Sequence, residues 1–433
     1  MKLRRLPDDF GVVEQLSPDT LAAMRPPGEA PVPSRGSTPV AIYALTKRQL
    51  TTPEASIMLA RALKLKPGAV EHAGLKDKHA VTTQHVSVRW SGAIATAPRT
   101  LTSDRAGAWS ATLVGWLDRP LRAADIHRNH FTIVVRSLDQ RECDLLEARA
   151  ELLHDDGECW LANYFGDQRF GSARHAQGFA AVALCQADFM GAFRLLAGTP
   201  ARKDTGRRRD TTRLIASAWG LPGAPSASVP TATTWAAIAA KLPPSPERRA
   251  VERLARDDDA LAALAELPQA DLTMAVEAFQ SVLWNHTLNA LVLDAAPPAA
   301  RLNVETDFGA CAFPTHEPNL ARWTDNARAL RSLVLPMPTS STELSPPWNS
   351  HLIAAAAAFD LRTDQLRIEQ MRRPRFGEAL RPAFVQVHQL TFAPPAQDEL
   401  APARSAKPYR RTLTFSLPRG SYATVLMRAL GSD

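Results

Sequence analysis

Residues 73–84 read Ala73-Gly74-Leu75-Lys76-Asp77-Lys78-His79-Ala80-Val81-Thr82-Thr83-Gln84, and His85-Val86-Ser87-Val88-Arg89-Trp90 follows. A carboxylate stands between two ammonium groups just after a glycine. Two readings fit these residues alone. One is a surface turn with solvated charges. The other is an acid in a basic setting, around which an anionic polymer binds. The period-two alternation that follows predicts a strand. Upstream, Thr52-Pro53-Glu54 predicts a helix start, with a capping hydroxyl and a proline in the first turn. Ile57, Met58, Leu59, Ala62, Leu63 and Leu65 would form its apolar face, and Pro67-Gly68 its stop. Asp77 is therefore expected in a loop between a helix and a strand.

Further alternating runs lie at 131–136, 384–392 and 411–417. The middle of the chain differs. Residues 247–294 are rich in Ala, Leu, Glu and Arg, and 278–292 predicts one amphipathic helix carrying Phe279, Val282, Leu283, Leu288 and Val292. Ala354–Ala358 reads as helix interior. Stretches 27–40, 221–234 and 335–347 read as loops, and no solenoid repeat is present. Strands at both ends and helices between make the fold class α+β.

The chain has 433 residues, enough for two or three domains, and 45% hydrophobic residues, enough for sizeable cores. Its net charge of +7 suggests an anionic partner. Residues 367–419 hold ten Arg or Lys, including Arg372, Arg373 and Arg375, against four acids. Residues 202–213 hold six against two. Such clusters bind phosphates without sequence preference, or are solvated loops. Cys143, Cys159, Cys185 and Cys311 form no Cys-x-x-Cys pair, so neither a zinc site nor a disulfide framework is expected. His127 and His130 lack a third metal ligand in view. The N-terminal residues have no apolar signal core and no run has the length of a membrane span, so a cytoplasmic protein is expected. Nucleotide-binding and metalloprotease signatures are absent.

The 73–84 stretch resembles the signature of the tRNA pseudouridine synthase D (TruD) family, and further segments resemble family motifs in the family's order. These are Pro7-Asp8-Asp9-Phe10-Gly11-Val12-Val13-Glu14, Asn129-His130-Phe131, Asn163-Tyr164-Phe165-Gly166-Asp167-Gln168-Arg169-Phe170-Gly171 and Leu417-Pro418-Arg419-Gly420-Ser421-Tyr422-Ala423-Thr424. The resemblance implies a pseudouridine-synthase-type catalytic domain with a mixed or antiparallel sheet. A largely helical insertion domain interrupts it, and RNA binds in the cleft between them. The expected limits are 1–157 and 373–433 for the catalytic domain and 158–372 for the insertion. The implied reaction turns uridine 13 of the tRNA D-arm into pseudouridine, with Asp77 catalytic and the target base flipped out of the RNA. It needs no cofactor and no metal. Phe131 would stack on the uracil, Asn129 would hydrogen-bond to it, and Phe10 would share the pocket. Arg4 stands six residues before Phe10, where many relatives carry a Lys near the active site; it would offer Asp77 a planar fork in place of a point charge, or lie free on the surface. Lys76, Lys78, Arg169, Arg372, Arg373 and Arg375 are candidate RNA contacts, although Asn163 and Arg169 also fit a structural role. The expected partner is tRNA, with no membrane, DNA or obligate protein partner. Two other functions compete: an RNA-binding or tRNA-folding protein without chemistry, and the same chemistry on another RNA. The presence of Asp77 speaks against the first.

Overall fold

The alternating runs become strands of one 12-stranded sheet. They are β1 (Phe10–Leu16), β2 (Val40–Arg48), β3 (Val70–His72), β4 (Val81–Arg89), β5 (Thr100–Thr102), β6 (Trp109–Leu117), β7 (Ile126–Leu138), β8 (His154–Asp155), β9 (Glu158–Ala162), β10 (Phe384–Phe392), β11 (Ala396–Gln397) and β12 (Tyr409–Pro418). Across the sheet they run β5-β6-β2-β4-β1-β7-β12-β10-β9-β8, with β3 added to β4 and β11 to β12. β1 is parallel to β4, whereas β1–β7, β2–β4, β2–β6 and β7–β12 are antiparallel. The sheet is thus mixed, and the two ends of the chain meet in it where β12 pairs with β7. The computed structural model describes residues 1–29, 38–93, 96–103, 108–173, 175–201, 204, 206–220 and 230–431. Most of the expected loop at 27–40, residues 221–229 of the next one, and Arg202 and Lys203 of the second basic cluster lie outside the described residues. The chain divides into two compact units, Met1–Leu161 with Val385–Asp433, and Ala162–Phe384.

In the first unit, the helix Thr52–Ala62 covers one sheet face. Its Ala55, Leu59 and Ala60, with Leu63 just beyond its end, pack against Tyr43, Leu45, Val86, Val88 and Leu113. Ile57 and Met58, expected on that apolar face, are exposed instead. The cap is Thr51 rather than Thr52: its hydroxyl accepts from the Glu54 N–H, and Glu54 accepts in return from the Thr51 N–H. That releases the Thr52 hydroxyl for other work. At the start of β1, Arg136 is 3% exposed and binds Asp9 at 2.8 Å, Asp398 at 2.6 Å and Glu399 at 2.9 Å. Asp9, a motif residue, therefore fastens the entry of β1 to β7 and to the segment before β12. Removing one partner from such a buried network strands the others without compensation.

The second unit is built on the 27-residue helix Gln269–Ala295. Ala278 through Asn285 are all buried, so this helix is not the amphipathic surface element that its apolar spacing predicts. It is a core helix, met by other elements on every side. Helices Pro246–Asp257, Ala260–Glu266 and Asn349–Ala357 lie in the same unit, as do two small sheets. One of these pairs Leu380–Pro382 with Val334–Pro336, so the backbone that follows the 372–375 arginines is anchored in this unit. Among the described residues, no helix is long and apolar enough to cross a membrane.

Candidate active site

Alternation along the strands brings a set of polar side chains to one face. Residues two apart share a face, and residues directly opposite each other across a ladder share it too. Along β1, Phe10, Val12, Glu14 and Leu16 are buried, while Val13 and Gln15 are not. Glu14 is opposite Asn129, Val12 is opposite Phe131, and Phe131 is in turn opposite Phe415. On the other flank Val12 is opposite Thr82, and Thr82 is opposite Lys47. One face therefore carries Lys47, Thr82, Gln84, Phe10, Glu14, Asn129, Phe131 and Phe415.

The loop 73–80 lies over these groups and is anchored by them. Gln84 donates to the Gly74 carbonyl at 3.2 Å. The freed Thr52 hydroxyl accepts from the Lys76 N–H at 3.0 Å and donates to Gln84 at 2.8 Å. Lys47, wholly buried, donates its ammonium to the Asp77 carbonyl at 2.8 Å and reaches the Lys76 carbonyl at 3.5 Å. Lys76 turns inward, pairing with Glu14 at 2.7 Å and donating to Asn129 Oδ1 at 2.8 Å. The helix that precedes the loop and the strands beneath it thus fix its backbone at Gly74, Lys76 and Asp77.

Asp77 sits at the centre. Its Oδ1 accepts from the His79 N–H at 2.9 Å, a short turn closed by the side chain itself. Its Oδ2 pairs with Arg4 Nη1 at 2.9 Å. The Asp77 side chain keeps 19% of its surface exposed, so the carboxylate remains reachable. Arg4 comes from the chain segment before β1, which is held beside β7 by a two-way backbone bridge between Lys2 and Arg136. Its backbone is left-handed, with φ of 57°, which costs a non-glycine residue about 1–2 kcal/mol. The Arg4 guanidinium also lies over the Phe10 ring, 4.2 Å from its centre.

Burial disturbs the two charges beneath the loop in different ways. For Glu14 burial pushes the pKa up, but hydrogen bonds from His85 and the charge and hydrogen bond of Lys76 outweigh it and hold Glu14 below the usual carboxylate range. For Lys47 burial wins: the ammonium is pushed down to about 8, although Asp77 and Glu54 oppose the shift.

Of the residues expected in the site, Asp77, Arg4, Phe10, Asn129, Phe131 and Lys76 are gathered here. Phe131 is 6% exposed, stacked on Phe415 with ring centres 5.3 Å apart, and meets Phe10 edge-on at 6.2 Å. It is thus part of the core as well as of the site. Lys78 is exposed beside Asp77. The remaining candidates lie in the second unit. Arg169 pairs with Glu277 at 3.0 Å and donates to Ser281 at 3.2 Å, both on the long helix. Arg372, Arg373 and Arg375 are exposed. Two charged participants were not anticipated as functional: Lys47 and Glu14. The signal was present, since Lys47 continues the inward series Ala41, Tyr43, Leu45, and Glu14 continues Phe10, Val12. A charge at an inward strand position is what marks them.

Comparison with known proteins bears on this arrangement. The family model described as tRNA pseudouridine synthase D (TruD) matches residues 1–430. The tRNA pseudouridine synthase D of Aquifex aeolicus is 26% identical over 397 residues, covering 90% of this chain and 91% of that protein. A probable tRNA pseudouridine synthase D 1 of Methanococcus maripaludis is 24% identical over 400 residues, covering 89% and 92%. In fold, the chain is similar to the crystal structure of a putative tRNA pseudouridine synthase D from Methanosarcina mazei. The TM-score is 0.63 and the identity 20%, over 99% of this chain and 93% of that one.

Proposed function

The chain belongs to the tRNA pseudouridine synthase D family, an isomerase family, and from that premise we propose that it converts uridine 13 of the tRNA D-arm to pseudouridine with Asp77 as the catalytic carboxylate. The observation that carries the reading is the reachable Asp77 carboxylate, pinned by Arg4 at 2.9 Å in a loop anchored at Gly74, Lys76 and Asp77. A solvated turn has no reason to be held at Gly74, Lys76 and Asp77 by Gln84, Thr52 and Lys47.

The reaction is an internal exchange. The C1′–N1 bond breaks, the base turns, a C1′–C5 bond forms, C5 gives up its proton and N1 gains one. The carboxylate serves either as nucleophile towards the sugar or base, or as the acceptor of a C2′ proton. Both roles begin from the anion, whose counter-charge is Arg4. The planar guanidinium offers two donors to a carboxylate where lysine offers a point charge. Phe131 and Phe10 supply aromatic surface for the flipped uracil, and Asn129 an amide for its edge. Exposed Arg372, Arg373, Arg375 and Lys78 suit phosphate contacts, which carry no sequence information. The second unit corresponds to the family's insertion domain.

The test is tritium release from tRNA labelled at C5 of uridine, combined with chemical mapping of pseudouridine, on tRNA that lacks the modification. Release with a single new pseudouridine at position 13 is the expected result. Release mapped to another position would overturn the assignment of uridine 13, and no release from any tRNA would overturn the synthase reading.

A further inference from the structure

We propose that Glu14 and Lys76 decide which end of the Asn129 amide meets the target base, so that Asn129 acts as a hydrogen-bond donor to a uracil carbonyl and selects uridine over cytidine. This rests on the synthase reading above. Lysine has three donors and no acceptor, so the end of the Asn129 amide that faces Lys76 Nζ at 2.8 Å must be the oxygen. Lys76 is not free to turn away, because Glu14 holds it at 2.7 Å. The Glu14 side chain is 1% exposed and is itself held by the His85 backbone N–H at 2.9 Å. Breaking the Lys76 pair would leave a buried carboxylate without its counter-charge, which is strongly disfavoured. The chain of contacts from the β4 backbone through Glu14 and Lys76 therefore locks the amide. Its Nδ2 carries two donors with no acceptor among the described residues.

A donor suits uracil in a particular way. Uracil is nearly symmetric about its N3–C6 axis, and rotation about that axis exchanges N1 with C5 and O2 with O4. A carbonyl therefore faces the same donor before and after the base turns. Cytosine lacks this symmetry: in one of the two orientations its amino group would meet the Asn129 donor. A site built to donate rejects a partner that cannot accept. Glu14 and Lys76 are positioning residues, acting through Asn129.

The test compares kcat/KM for an RNA carrying uridine, 2-thiouridine or 4-thiouridine at the target position, sulfur being the weaker acceptor. In the wild type at least one thio substitution should cost about tenfold. Asn129→Asp keeps a partner for Lys76 but removes the donors, so the same substitution should cost less than twofold there. Lys76→Met frees the amide to present either end, so its thio cost should fall between those of the wild type and Asn129→Asp, whereas Lys76→Arg, which also only donates, should retain the full preference. Thermal unfolding checks the fold of each variant, and Asn129→Asp alone carries the test if Lys76→Met does not fold. Equal thio costs in the wild type and Asn129→Asp would overturn the proposal while leaving the synthase reading intact. A wild type that forms no pseudouridine would overturn both.

Discussion

The loop at Asp77 and the segment Asn163–Gly171 are both dense in polar and aromatic side chains, yet they spend them differently. In the second, the buried groups are used up internally, and Arg169, 31% exposed, is tied to Glu277. Asn163 accepts from Arg381 through its carbonyl and its side chain, both at 2.7 Å, and donates to the Pro382 carbonyl at 3.0 Å. The Phe165 backbone exchanges two hydrogen bonds with the Asn285 amide, and Tyr164 donates to the Ala312 carbonyl. Arg381 lies 4.0 Å over the Phe165 ring, and that ring meets Trp284 edge-on. Around Asp77 the backbone is as tightly held, but the charges are left part-exposed: 19% of the Asp77 side chain and 25% of the Arg4 side chain. The lesson is that a rigid motif is a scaffold when its polar groups satisfy one another. It becomes a site when the rigidity is used to present a carboxylate that stays reachable beside its counter-charge.

Two substitutions press on that contrast. Arg381→Met should have the larger effect on stability. It removes charge-assisted hydrogen bonds to Asn163 and a stacking contact, for a loss of about 2–3 kcal/mol in urea unfolding. The rate per folded molecule should stay within about twofold, since the role assigned to the segment is structural. A large drop in rate with unchanged stability would reverse the reading of that segment. Lys47→Met should have a smaller and pH-dependent effect. The folded pKa of Lys47 lies at about 8, below the unfolded value of 10.5, so the native state favours the neutral amine. The cost of burying the ammonium is fully present below about pH 8 and is relieved as pH rises towards 10.5. The variant should therefore compare best with the wild type at pH 7 and lose ground at pH 9.5 in parallel unfolding titrations. In activity, the wild type should show an alkaline limb near pH 8, as the ammonium that holds the Lys76 and Asp77 carbonyls loses its proton. Lys47→Met should be slower and lack that limb. An identical limb in both would remove Lys47 from the account.

Much of this was legible in the residues. Strict alternation gave 384–392 to the residue and placed Asp77 between a helix and a strand, because a half-buried strand has little freedom in what it shows to each side. The short strand β3 between them was missed; three residues are too few for a pattern. The Thr51 cap was misplaced by one position because either threonine offers the same hydroxyl, and only the packing of Thr52 against Gln84 and the Lys76 N–H separates them. The long helix was misjudged for a different reason. Spacing reports which residues are apolar, but how many neighbours surround a helix is a tertiary fact, and Gln280, Ser281 and Asn285 are buried beside the apolar residues. The Arg4–Asp77 pair joins residues far apart in the chain, so local pattern could not yield it, and only the family resemblance pointed to Arg4. Lys47 and Glu14 could have been found, as charges in inward strand positions.

The measurement that bears most directly on the central claim is the single-turnover rate of Asp77→Asn on unmodified tRNA, with its thermal unfolding recorded beside it. Asparagine keeps the shape and can still accept from the His79 N–H, but it carries no charge. The account predicts unfolding close to that of the wild type, tRNA binding within about threefold, and a rate reduced by at least about 10³-fold. A folded Asp77→Asn protein that forms pseudouridine at a rate near that of the wild type would contradict it.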